Sequence, residues 1–202
     1  MKYIKVVFAL IVVVFILESV AVAESPDELL KVVIDKIYTV LKDKTLKSTD
    51  KTQERRKHIR SIIESRFDFE EMSKRALAIY WQKRTDAEKK EFTSLFENLL
   101  ENVYITKIES YSGEEVLFVE QSIDGDYSTV KTVIMRKAQK IPMDYKLMKI
   151  NSEWKVYDVV IEGISLVNNY RTQFTRILGS GSYEGLVKTL KEKITSNESK
   201  TQ

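Results

Sequence analysis

The run from Thr85 to Ile108 limits the possible folds of this chain more than any other segment. Thr85-Asp86-Ala87-Glu88 has the form of a capping box, in which the Thr hydroxyl and the Glu carboxylate each take one of the free N–H groups that open a helix. Behind it Phe92, Leu95, Phe96, Leu99, Leu100, Val103, Tyr104 and Ile108 hold one apolar stripe at helical spacing. A helix from Asp86 to Glu109 would be about 36 Å long, enough to serve as the spine of a small domain. The period then changes. Glu115 to Ile123, Tyr127 to Arg136, Ile141 to Ile150 and Trp154 to Ile161 are strand-length runs, with turn signals at Asp124-Gly125 and Asn151-Ser152-Glu153. The simplest assembly is a four-stranded antiparallel meander, with Pro142 placing the start of its strand at an edge or a bulge. On the last strand Trp154, Val156 and Val160 alternate with Tyr157, Val159 and Ile161. Both faces read as apolar, so helices are expected on both.

The flanking segments supply those helices. Ser25, Pro26 and Glu28 form a helix start, followed by Leu29, Leu30, Val33, Ile37, Val40 and Leu41 on one face. Ile59, Ile62, Ile63 and Phe67 mark a second helix. Asp68 caps a third, with Phe67 and Met72 at hydrophobic-staple positions. Beyond the sheet, Ser165 opens a helix carrying Leu166, Val167, Tyr170, Phe174, Ile177 and Leu178, which Gly179-Ser180-Gly181 ends. A last helix carries Leu186, Val187, Leu190 and Ile194, and residues 195–202 are polar and expected to fray. No repeat or Pro- or Gly-rich linker interrupts the chain. The expected fold is α+β, a single domain over residues 24–202 with helices packed around a twisted four-stranded sheet.

Residues 1–23 read as an export signal: Lys2 and Lys5, an apolar run from Val6 to Leu17, and Ala21-Val22-Ala23 with small residues where a signal peptidase cuts. The run is shorter than the roughly 20 apolar residues that span a bilayer, so cleavage after Ala23 and a periplasmic product are expected.

Composition removes much chemistry. There is no Cys and one His, which excludes thiol nucleophiles, disulfides, Cys-based zinc sites and His clusters. With 33 Lys+Arg against 30 Asp+Glu, the field of a nucleic-acid binder is absent. His58 lies in a basic run on a helix, and no partner to orient it for catalysis is evident. Asp144, Asp158, Tyr145 and Tyr157 carry the residue types of a proton-transfer site inside an α+β cone. The same types on neighbouring strands also make ordinary structural hydrogen bonds. A small exported enzyme therefore stands beside a binding protein and a cargo-free interaction domain as alternatives.

The most specific stretch is WKVYDVVIEGISLVNNYRTQF, from Trp154 to Phe174. It resembles the closing strand and following helix of the MlaC family, periplasmic phospholipid-binding shuttles also called toluene-tolerance auxiliary proteins. The likeness extends upstream through Phe67-Asp68-Phe69-Glu70-Glu71-Met72, Trp81 and the Thr85 cap. The resemblance implies a deep apolar pocket that holds acyl tails with the headgroup in water, and no catalytic residues or cofactor. It implies phospholipid as cargo, though a related branch is associated with hopanoids. The partners implied are the MCE-type subunit of an inner-membrane ABC transporter and an outer-membrane lipoprotein complex, in a system that maintains outer-membrane lipid asymmetry. The carrier itself is expected to be a monomer.

Where that pocket meets the apolar periodicity, the expected tail-lining residues are Phe96, Leu100 and Tyr104 of the long helix and Val133, Met135, Tyr145, Leu147 and Val160 of the sheet. Ile164, Val167, Tyr170 and Phe174 complete the set, with Ile164 pointing inward. Adaptable Met135, Met143 and Met148 in the sheet would suit variable chains. By the same resemblance Lys83 and Lys89 correspond to basic partner-docking positions, and Lys137 and Lys140 correspond more loosely. A solvated basic helix start is the alternative for each of these.

Overall fold

The computed structural model describes residues 24–136 and 139–201, so the expected signal segment 1–23 and Lys137 lie outside the described residues. Six helices run in order α1 (Pro26–Lys42), α2 (Thr52–Glu64), α3 (Phe69–Leu77), α4 (Asp86–Glu109), α5 (Leu166–Ser180) and α6 (Tyr183–Thr201). Short 3₁₀ segments link α1 to α2 and α3 to α4. α6 thus remains helical past Thr195. Among the described residues no helix is long and apolar enough to cross a membrane.

The caps lie where the sequence puts them. Glu28 accepts the Ser25 N–H at 3.3 Å, Asp68 accepts from the Glu71 N–H at 2.9 Å, and Glu88 accepts the Thr85 N–H at 2.7 Å. α4 spans 24 residues as expected.

Between α4 and α5 the chain forms β1 (Glu115–Asp124), β2 (Tyr127–Arg136), β3 (Gln139–Ile150), β4 (Glu153–Ile161) and β5 (Ile164–Ser165), antiparallel in that order. The fifth strand is a two-residue return after the Glu162-Gly163 turn, too short to show an alternating pattern in the sequence. Gly163 sits at φ +81°, which favours glycine at that corner. Pro142 lies where β3 runs past the end of β4. Its carbonyl accepts the Glu162 N–H at 2.9 Å, so its own missing donor weakens only the last rung of the ladder.

Two bulges decide what each face of the sheet carries. In β1 the register skips Val119, and in β4 Tyr157 is the extra residue between Val156, opposite Leu147, and Asp158, opposite Lys146. The strict alternation expected for β4 therefore fails. Val159 and Ile161 share the inner face with Trp154 and Val156, whereas Val160, opposite Asp144, faces out. The expectation that both faces are covered throughout fails with it. The outer face meets helices beside β4, while Leu117 on β1 is exposed. By placing Tyr157 and Asp158 on one side, the bulge lets a single strand hold two helices. Tyr157 lies under the Arg75 guanidinium of α3 at 4.2 Å, and Asp158 accepts from Ser165 Oγ at 2.6 Å and the Val167 N–H at 3.1 Å at the start of α5.

Buried side chains gather in two clusters. One joins α3, the first half of α4, α5 and α6, with Phe92, Phe96, Tyr170 and Phe174 in mutual ring contact at 5.2–5.9 Å. The other joins α1 to the inner face through Leu29, Leu30, Val33, Val130, Leu147, Trp154 and Val156.

Candidate functional site: an apolar cavity along the second half of α4

Above the second cluster the packing opens into a cavity of about 560 Å³, within the usual range for ligand sites. α1 contributes Leu30, Val33, Ile34, Ile37, Tyr38 and Leu41, which recur at the spacing of one helical face. α2 adds Ile59 and Ile63, and α4 adds Leu100, Tyr104, Ile105 and Ile108. The sheet presents Val116, Ile134, Ile141, Met143, Tyr145, Val159 and Ile161. The aliphatic walls do not meet across the middle, unlike the interlocked rings of the first cluster. Along α4 the lining extends from Glu97 to Ile108, about 17 Å of helix. Half of a roughly 30 Å bilayer core holds one acyl tail, so a tail fits lengthwise.

Most polar groups gather at two boundaries, and Glu162 lines the cavity at the end of β4 besides. One is the seam between α2 and α4, closed by side chains. Glu109 binds Arg55 at 2.7 Å and Arg56 at 2.8 Å, and Arg60 pairs with Glu101. Glu97 faces Glu64 across the same seam. Burial, and then hydrogen bonding with the Glu64 carboxyl, push Glu97 up to about 7. The other boundary is the rim where α1, α4 and the sheet end, lined by Tyr38, Tyr104, Lys107, Tyr111, Glu114 and Arg136. There Tyr38 stacks on Tyr111 with ring centres 4.0 Å apart, and Arg136 pairs with Glu114 at 3.2 Å. Burial pushes the Tyr38 phenol up to about 12.

Of the lining expected from sequence, Leu100, Tyr104 and Tyr145 do face the cavity. Phe96, Val167, Tyr170 and Phe174 are instead buried in the all-helical cluster, because α5 turns its apolar face to α4 and α6. Leu147 is buried beneath the cavity in the second cluster. Val133 and Met135 are the outward neighbours of Ile134, and Val160 is displaced by the Tyr157 bulge. Ile164 is 62% exposed, since the tight Glu162-Gly163 turn leaves it at the outer edge of the sheet. Of the three methionines only Met143 lines the cavity. The contributions of α1 and α2 were missed, although the stripe Leu30-Val33-Ile37-Leu41 was visible; a stripe does not tell whether it meets side chains or space.

The proton-transfer set does not converge. Asp144 and Tyr145 are successive residues of β3 and so point to opposite faces, Asp158 is committed to the α5 cap, and His58 is exposed on α2. The Tyr145 hydroxyl donates to Met143 Sδ at 3.1 Å, and burial pushes its phenol far up. Among the described residues no group of three His, Cys, Asp or Glu could hold a metal. Lys83 is exposed beside Tyr80, and Lys89 binds Asp86 at 3.2 Å, both near the start of α4. Lys140 lies opposite Met135, near the other end of that helix.

An α+β body that keeps a tail-length apolar cavity, with charge mostly at its boundaries, has the form of a binding protein for a long apolar ligand. A family model described as MlaC protein matches residues 31–192, and the chain belongs to that family. A relative from Haemophilus influenzae, the intermembrane phospholipid transport system binding protein MlaC, is 22% identical over 185 residues, covering 88% of this chain and 86% of its own. A phospholipid-binding protein from Ralstonia solanacearum, solved in complex with a phospholipid, matches with a TM-score of 0.75 and 22% identity, covering 87% of this chain and 98% of that one. At that identity the structural likeness speaks for the fold.

Proposed function

We propose that this protein is a periplasmic phospholipid carrier that holds acyl tails in the cavity beside the second half of α4 and leaves the headgroup in water. The single observation that carries this reading is the elongated apolar cavity with most of its polar groups at the boundaries. The family membership and the lipid-binding relatives point the same way. Each buried CH₂ is worth about 0.8 kcal/mol relative to water, so tails do not cross an aqueous space unaided. Transfer between bilayer and cavity exchanges one hydrocarbon-like environment for another and needs no catalytic residue. In this proposal the signal at residues 1–23 directs export. The partners are an MCE-type subunit of an inner-membrane ABC transporter and an outer-membrane lipoprotein complex, with Lys83 and Lys89 as docking contacts.

Native mass spectrometry of protein purified without detergent, followed by lipid extraction, tests the reading. A bound phospholipid is expected, and protein that stays empty after incubation with vesicles would overturn it.

A further inference from the structure

The two polar boundaries of the cavity differ in how their charges are met. In the seam Glu64, Glu97, Glu101 and Glu109 stand against Arg55, Arg56 and Arg60, and Glu97 keeps its proton up to about 7, so the charges there nearly cancel. At the rim, Lys42 Nζ lies 5.8 Å and 5.9 Å from the centres of the stacked Tyr38 and Tyr111 rings, and Lys107 Nζ lies 5.1 Å over Tyr104. Among the described residues neither ammonium forms an ion pair; Arg136, which does, shares its charge with Glu114 and Ser110 Oγ. Lys42 and Lys107 occupy the last turns of α1 and α4, where any cation offsets the helix dipole. Their placement over aromatic rings does more, because it lays the apolar stems along the rim and fixes both charged heads at one end of the cavity.

We propose that this rim of Lys42, Lys107 and Arg136 seats the phosphodiester of the bound lipid and favours headgroups with a net negative charge over zwitterionic ones. The inference rests on the carrier reading and deepens it. A phosphate at the far end would face a seam whose arginines are already paired with carboxylates, so the lipid enters with one orientation, phosphate at the rim and tails toward Glu97. A zwitterionic headgroup brings its own cation among Lys42, Lys107 and Arg136, where like charges oppose it.

The test uses mixed vesicles of phosphatidylglycerol and phosphatidylcholine with identical acyl chains in equal amounts. The full chain is incubated, separated from the vesicles, and its lipid identified by native mass spectrometry. The expected result is about a threefold enrichment of phosphatidylglycerol, the scale of partly exposed charge contacts. In Lys42→Gln/Lys107→Gln the enrichment should fall to about one; both side chains are at the surface, and an unaltered thermal melt confirms the fold. Uptake in the vesicle ratio by the wild type, or enrichment that survives in the double variant, overturns the proposal. Enrichment erased by inorganic phosphate at matched ionic strength would make the rim a site for free phosphate and overturns it equally. No uptake of either lipid defeats the carrier reading itself, a separate outcome.

Discussion

The two halves of α4 share one continuous apolar stripe and end in opposite kinds of interior. In the first half Phe92, Phe96 and Leu99 meet rings from α5 and side chains from α6, and the space is filled. In the second half Leu100, Tyr104 and Ile108 face α1, α2 and the sheet across a gap. The difference lies in what stands opposite. Phe174 and Tyr170 reach into the helix they face, while Val116, Ile134 and Val159 are too short to span the distance to theirs. A periodic stripe therefore specifies a buried face without specifying a filled one.

The largest effect expected from breaking this comparison is in the solid half. Phe96→Ala should cost about 3–5 kcal/mol in denaturant unfolding, because a ring in contact on several sides leaves a void. Ile141→Ala in the hollow half should fall at or below about 2 kcal/mol, since its side chain already faces space. Equal costs would mean that the cavity is not open in solution.

A neighbouring pair on β2 sharpens the contrast. Ile134→Glu puts a carboxylate against the tails and should lower lipid occupancy about tenfold or more. Val133→Glu, one residue along and on the outer face, should leave occupancy unchanged. Mass spectrometry of both variants reads the difference, and identical behaviour would mean that the sheet faces are assigned wrongly.

The seam predicts a smaller, pH-dependent effect. Glu97 holds its proton in the fold up to about 7, against an ordinary 4.5, through burial and the Glu64 carboxyl. The folded state therefore binds more protons than the unfolded chain between those values. The group's contribution to stability is fullest below 4.5 and declines as the pH rises through that window. Glu97→Gln should flatten the decline in thermal melts taken from pH 5 to 8, and a wild-type melt rising over that range would contradict the assignment. The smallest effect is expected at Ile164. Ile164→Glu should change stability by no more than about 0.5 kcal/mol and leave lipid occupancy intact, as for other exposed positions.

That last position shows what the sequence could and could not tell. The helix ends were legible because caps are local: Ser25, Asp68, Thr85 and Ser165 each announce themselves within four residues. Two of the three connections between the long strands were legible for the same reason, through the turn residues at Asp124-Gly125 and Asn151-Ser152-Glu153. The most recognisable stretch, Trp154 to Phe174, reads as pocket lining at Val160, Ile164, Val167, Tyr170 and Phe174. In the structure Val159, Ile161 and Leu166 line the cavity instead, Tyr157 and Asp158 hold α3 and α5, and Tyr170 and Phe174 fill the helical core, so this stretch joins the two halves. The cavity itself is a gap between elements far apart in the chain. Nothing within a single element encodes such a distance, and the Tyr157 bulge reverses the alternation from which the inner face would have been read.

The gap also gives the molecule an uneven mechanical character. Folded interiors resist compression because their atoms already touch, and hydrostatic pressure favours unfolding in proportion to the internal voids that unfolding eliminates. Here the voids are concentrated beside one half of α4, so compressibility is concentrated there too. The empty protein is the softer form under pressure, and a tail lying in the cavity stiffens it by occupying volume that the fold leaves vacant.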